Sequence, residues 1–166
     1  RDQPRSRGLG DVYKRQHYGC PIAEEELGRR YRLNLTNRPF WLNNEFVFLG
    51  EIPENKSADI DDTALVHKTN EGIFIITGCS HSGIINIINY AKQVCKEGRI
   101  LGVLGGFHFL KKSEEELEEI CSLMLKSGVN PEYPFYPCHC CDLKSKIIMS
   151  KFFNVQEVCT GDVLNC

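Results

Sequence analysis

The apolar pattern is clearest between residues 63 and 152. Ile73-Phe74-Ile75-Ile76 is a short, wholly apolar run. Such a run suits a strand buried on both faces better than a half-exposed one. It breaks at Thr77-Gly78. A helical period then begins, with Ile84, Ile87, Ile88, Ala91 and Val94 at i, i+3, i+4 spacing, which predicts a helix over 84–97 that buries one face. Gly98 closes it, with Lys92 and Lys96 near the negative end of its dipole. Ile100 to Leu104 reads as a second buried strand. Leu117, Ile120, Cys121 and Met124 form the stripe of a helix over 114–127, opened by a Ser113/Glu116 capping box and stopped by Gly128. Tyr133 to Tyr136 is a third strand, and Asp142 caps a last helix over 143–152. Upstream, Thr63 to Thr69 is a strand joined to 73–77 by the tight turn Asn70-Glu71-Gly72. Glu45 to Leu49, Val155 to Val158 and Val163-Leu164 are shorter strand candidates. From residue 61 onward the chain alternates strands and helices in an α/β layered order.

The flanks are less patterned. Residues 1–16 carry Arg1, Arg5, Arg7, Lys14 and Arg15 with little apolar periodicity. They resemble a translated sequencing adapter, or else a disordered basic tail, and are set apart from the fold. The expected division is a non-native or disordered head at 1–16 and one partial domain at 17–166, its native sequence beginning abruptly near His17. Ala23 to Arg30 predicts one or two helical turns, and residues 53–60 a polar loop.

The formal net charge of -2 over 166 residues gives no electrostatic case for nucleic acid or an anionic membrane surface. No apolar run approaches the ~20 residues of a membrane helix. Nine cysteines, an odd number, in a chain with ample apolar residues argue against a disulfide-stapled secreted domain. The expectation is a reduced, cytoplasmic protein in which most cysteines are small core residues.

Candidate chemistry concentrates after the strands. His81, His108 and His139 each follow a buried strand by a few residues. If those strands are neighbours, the three imidazoles meet at one sheet edge, where open α/β sheets place their sites. Neutral imidazole ligates zinc, iron and manganese. A single such histidine is more often structural, but three at equivalent positions favour a site. Asp61-Asp62 precedes a strand in a polar stretch. One of the pair reads as a cap or solvated turn, while the other is placed to ligate a metal or to orient a histidine. Cys138, His139, Cys140 and Cys141 combine C-x-C and C-x-x-C. Packing against an imidazole ligand is the plainer reading of these thiols. Two other classes remain open: a thiol redox site using Cys138 to Cys141, and a non-catalytic zinc module using Cys138, His139, Cys140 and Cys141.

Five segments in one order carry a resemblance. They are Gly50-Glu51-Ile52-Pro53, Asp61-Asp62-Thr63-Ala64-Leu65-Val66, Thr77-Gly78-Cys79-Ser80-His81-Ser82-Gly83-Ile84-Ile85-Asn86, Gly105-Gly106-Phe107-His108 and Pro137-Cys138-His139-Cys140. The series resembles a subgroup of the metallo-β-lactamase fold, the one commonly named for dihydropterin ribofuranosylaminobenzene 5′-phosphate synthase, over about residues 20–166. The resemblance implies a four-layer αββα sandwich with two divalent metals, zinc or else iron or manganese, between its sheets. It implies His81 and His139 as metal ligands, His108 as ligand or proton-transfer group, and Asp62 as ligand or supporting carboxylate. It further implies a metal-activated water attacking an ester, phosphoester or amide-like small-molecule substrate. The family's H-x-H-x-D-H motif is absent, for no His-x-His occurs in the chain. The expectation is therefore the C-terminal half of such a sandwich: inactive or nearly so alone, weak in zinc binding, poorly soluble, and prone to self-association through an exposed sheet face.

Overall fold

The computed structural model describes residues 29, 36–53 and 62–164. The head at 1–16, the helical turns expected at 23–30 apart from Arg29, the loop 54–60 and Asp61 lie outside the described residues. Seven strands form one mixed sheet in the order β1-β2-β3-β4-β5-β6-β7. These are β1 (Phe40–Trp41), β2 (Phe46–Phe48), β3 (Ala64–Lys68), β4 (Ile73–Thr77), β5 (Ile100–Gly105), β6 (Pro134–Pro137) and β7 (Asn154–Val155). The described helices are α1 (Ile84–Cys95), α2 (Glu114–Lys126) and α3 (Leu143–Ser150), one after each of β4, β5 and β6.

The first half of the sheet is antiparallel and the second half parallel. The change falls at β4, which pairs antiparallel with β3 through a hairpin and parallel with β5. In the hairpin, Thr69 Oγ1 accepts from the backbone N–H of Glu71 and Gly72. The strand order then advances one strand per helix. Crossovers of one hand taken in one direction place all their helices on the same face. Accordingly Ile87, Ile88 and Ala91 of α1, Leu117, Cys121 and Met124 of α2, and Ile148 and Met149 of α3 share one core with Val66, Ile75, Val103 and Phe135 of the sheet.

The helix ends follow their caps. Ser113 Oγ accepts from the Glu116 N–H while the Glu116 carboxylate accepts from the Ser113 N–H, which starts α2 where the pattern predicts. Asp142 accepts from the Ser145 N–H and starts α3. Two expectations shift. α1 ends at Lys96, whose backbone is left-handed (φ 49°), ahead of the Gly98 stop read from the sequence. Of the late candidates at 155–158 and 163–164, only Val155 pairs, as the second residue of the strand Asn154–Val155 alongside β6.

The face of the sheet turned from the helices is also apolar. Phe48, Leu65, Ile76, Leu104 and Tyr136 are register partners in one row across five strands, and each is half-buried. Ile76 therefore departs from the run of fully buried positions expected for β4.

Candidate functional site

The carboxyl ends of β4, β5 and β6 lie side by side, and three loops leave them at one edge. Each loop holds a non-glycine residue in the left-handed region: Ser80 (φ 59°), His108 (φ 54°) and Cys140 (φ 54°). Such a conformation costs about 1–3 kcal/mol and persists only where the surroundings fix it. Here the loops fix one another. The Gly106 N–H donates to Gly78 O at 2.8 Å, and the Cys138 N–H to Gly105 O at 2.8 Å. Buried Ser80 donates its hydroxyl to Gly106 O at 2.6 Å. Cys140 O accepts from the N–H groups of Phe109 (2.9 Å) and Leu110 (3.1 Å). Ser145 at the start of α3 donates its hydroxyl to Phe109 O at 3.2 Å, tying the edge to the helical layer.

The candidate side chains fall into two adjoining groups. In the first, His81 and His108 meet edge to face, their ring centroids 5.0 Å apart. Asp62 stands behind them. It is buried, it accepts the Ser82 N–H at 2.5 Å, and its other oxygen lies 3.9 Å from His81 Nδ1. Burial, aided by the neighbouring His81 and Lys112, pushes the His108 pKa down, so its neutral form is favoured.

In the second group His139 has different company. Its Nε2 lies 2.8 Å from Cys79 Sγ. Ligand atoms of Cys79, His139 and Cys140 all lie within 4.8 Å of one another. Cys140 Sγ also reaches Cys79 O and accepts the His108 N–H at 3.2 Å, joining the two groups. Burial lifts the Cys79 thiol to about 11, with Cys140 adding to the effect.

The sequence thus locates all three histidines at this edge but misses the pairing of Cys79 with His139. The available signal was the cysteine two residues before His81 and the one just after His139 in otherwise equivalent loops. The thiols of the zinc module read from the sequence do not gather around His139 as a set. Cys138 turns its thiol back toward Tyr136 O, and Cys140 Sγ is shared between Cys79 O and the neighbouring Cys141 thiol. For the redox reading, an attacking thiol with a lowered pKa is the requirement. Burial raises Cys138, and the hydrogen bond between Cys140 and Cys141 raises Cys140 while lowering Cys141, so of these three thiols Cys141 alone meets that requirement.

A cavity of about 430 Å³ opens beside the first group, lined among others by His81, Ile85, Phe107, His108 and Lys112. Among the described residues no helix is long and apolar enough to cross a membrane.

No protein-family model matches the chain. An uncharacterised protein of Methanocaldococcus jannaschii is 26% identical over 144 residues, covering 79% of this chain and 54% of its own length. The 7,8-dihydropterin-6-methyl-4-(β-D-ribofuranosyl)-aminobenzene-5′-phosphate synthase of the same organism is 29% identical over 69 residues, 42% of this chain and 24% of its own. Among solved structures, a metal-dependent hydrolase of the β-lactamase superfamily superposes with a TM-score of 0.65 at 29% identity, covering 82% of this chain and 58% of that one. The chain spans about half the length of the first of these relatives, 54%, and it has the α/β fold of the hydrolase.

Proposed function

We propose that this chain carries part of the active centre of a metal-dependent hydrolase acting on a small-molecule ester, phosphoester or amide-like substrate. One observation carries the reading: three neighbouring parallel strands each end in a loop that delivers a histidine to the same edge. The donor set suits a divalent metal. It offers imidazole nitrogen, a buried carboxylate and thiols, and zinc accepts all three, while iron and manganese accept the nitrogen and oxygen donors. His81 and His139 would hold metal. Asp62 would orient His81 or join it as a ligand, and His108, favoured in its neutral form, would accept or pass on a proton. When bound, the metal would supply Lewis acidity and lower the pKa of a water toward neutrality. The cavity beside His81 and His108 would seat the substrate, and the Lys112 ammonium among its apolar walls favours one bearing negative charge. The missing H-x-H-x-D-H motif leaves the ligand set short, so the chain alone should hydrolyse little.

The test uses chromogenic nitrophenyl acetate and bis-nitrophenyl phosphate. They are offered to the 166-residue chain and to the protein with its natural upstream sequence restored. Activity is expected only in the longer protein, abolished by a chelator and by His81→Ala. Hydrolysis indifferent to both would overturn the proposal.

A further inference from the structure

The two groups at the edge differ in chemistry. Asp62, His81 and His108 offer oxygen and nitrogen, whereas Cys79, His139 and Cys140 offer two sulfurs and one nitrogen. Thiolates select zinc and its soft relatives, while carboxylate and imidazole also suit iron and manganese. We infer that Cys79, His139 and Cys140 form a thiolate-bearing position for a zinc-class ion, separate in its preference from the carboxylate-imidazole group beside it. The inference shares His139 with the hydrolytic reading, but it concerns metal selectivity and does not need hydrolysis.

Distances support it. Zinc–sulfur bonds of about 2.3 Å and zinc–nitrogen bonds of about 2.0 Å at tetrahedral angles put donor atoms about 3.5–3.8 Å apart. The three donors already lie within 4.8 Å of one another, and the Cys79–His139 pair stands at 2.8 Å. Shifts of about an ångström at the donor atoms close the difference. Each thiol releases its proton as its sulfur–metal bond forms, so two protons leave for one divalent ion. Three protein ligands leave the fourth tetrahedral position open, the pattern of a reactive rather than a purely structural zinc. The backbone is shaped to this end. The left-handed turn at Cys140 sets its thiol beside Cys79 O, and Gly106 lies so close beneath that a Cβ there would come within 2.7 Å of Cys140 Sγ and 2.8 Å of His139 Nε2.

The test is a cobalt(II) titration of the full 166-residue chain under a reductant that does not bind metal. Sulfur ligation gives a near-ultraviolet charge-transfer band that nitrogen and oxygen ligands do not. The band should appear, yield to equimolar zinc, and resist equimolar manganese. It should be lost or weakened at least about tenfold in Cys79→Ser and in Cys140→Ser, and persist in Cys138→Ser, Cys159→Ser and His81→Ala. A second measurement needs no variant: zinc should protect Cys79 and Cys140, but not Cys159, from alkylation mapped by peptide mass spectrometry. No band in the unaltered chain, a band indifferent to Cys79→Ser, a band lost equally in Cys138→Ser, or no zinc protection of Cys79 would overturn the inference. Loss of hydrolysis in His81→Ala of the longer protein, with the band intact in the same variant of the 166-residue chain, would support both readings and show that they are separable.

Discussion

At the scale of the residue, two adjacent glycines do different work. A Cβ on Gly106 would meet the side-chain tips of His139 and Cys140, whereas one on Gly105 (φ 145°) would strike the backbone carbonyl of Thr77. Side-chain tips can swing aside, but a carbonyl in a central strand cannot. Gly106→Ala should therefore weaken cobalt or zinc binding at least about tenfold with little change in melting temperature. Gly105→Ala should lower stability by about 1–3 kcal/mol, since it adds backbone strain to the clash. Calorimetry and metal titration on both variants decide it, and equal melting losses would refute the distinction. Asp62 gives a second contrast. Removing its carboxylate in Asp62→Ala strands the Ser82 N–H, at a cost of about 1–3 kcal/mol. Asp62→Asn keeps an acceptor for that N–H and should lose less in urea denaturation. The histidines at this edge were legible because a buried run followed by small residues fixes where a strand ends. The thiols were not. Cys79 and His139 are 60 residues apart, and no local window shows that their loops touch.

At the scale of the element, local chemistry read well where a cap or turn residue sets the boundary. The Ser113/Glu116 capping box and the Asp142 cap place the starts of α2 and α3. Ser113→Ala should cost about 1 kcal/mol by chemical denaturation, and an unchanged midpoint would show that packing alone holds α2. β1 was not legible and β7 only at Val155, because two residues cannot display a period of two. The segment joining α1 to β5 makes a pH prediction. Arg99 donates to Glu97 through Nε at 3.0 Å and Nη2 at 2.9 Å, and to Asn70 O at 3.0 Å, linking this segment to the β3–β4 hairpin. Those hydrogen bonds lower the Glu97 pKa from 4.5 to about 2. A carboxyl depressed on folding stabilises the folded state above its unfolded pKa, and that gain fades as the pH falls through the folded value. The melting-temperature gap between the unaltered chain and Glu97→Gln should be widest above pH 4.5 and narrow toward pH 2. A gap that widens on acidification would contradict the linkage. The Arg99 guanidinium is exposed and solvent screens the pair, so the gap should be small.

At the scale of the whole molecule, the sheet has one face under helices and another that is apolar without full burial. The row Phe48, Leu65, Ile76, Leu104 and Tyr136 runs across five strands, every member half-buried. Full burial of one large apolar side chain stabilises by about 1.5–3 kcal/mol. Completing the burial of five that are already largely covered would add a few kcal/mol per chain, a contribution that favours self-association through this face. The sheet edges present less hazard, since β1 and β7 are two residues each and short edge strands blunt strand addition. Association should therefore run through the face and not the edge. The apolar repeat of β3 to β6 made this sheet legible, but not which of its faces the helices take, because both rows are apolar. The expected outcome is that the 166-residue chain alone travels as dimers or larger species in size-exclusion chromatography with light scattering. Leu65→Lys, or better Leu65→Lys with Leu104→Lys, should shift it toward the mass of one chain. These charges stand on the row and leave the helix-facing core untouched, so the far-ultraviolet spectrum should not change. A monodisperse monomer before any substitution would show that this face is already satisfied within the chain. Association that survives both lysines would place the contact elsewhere.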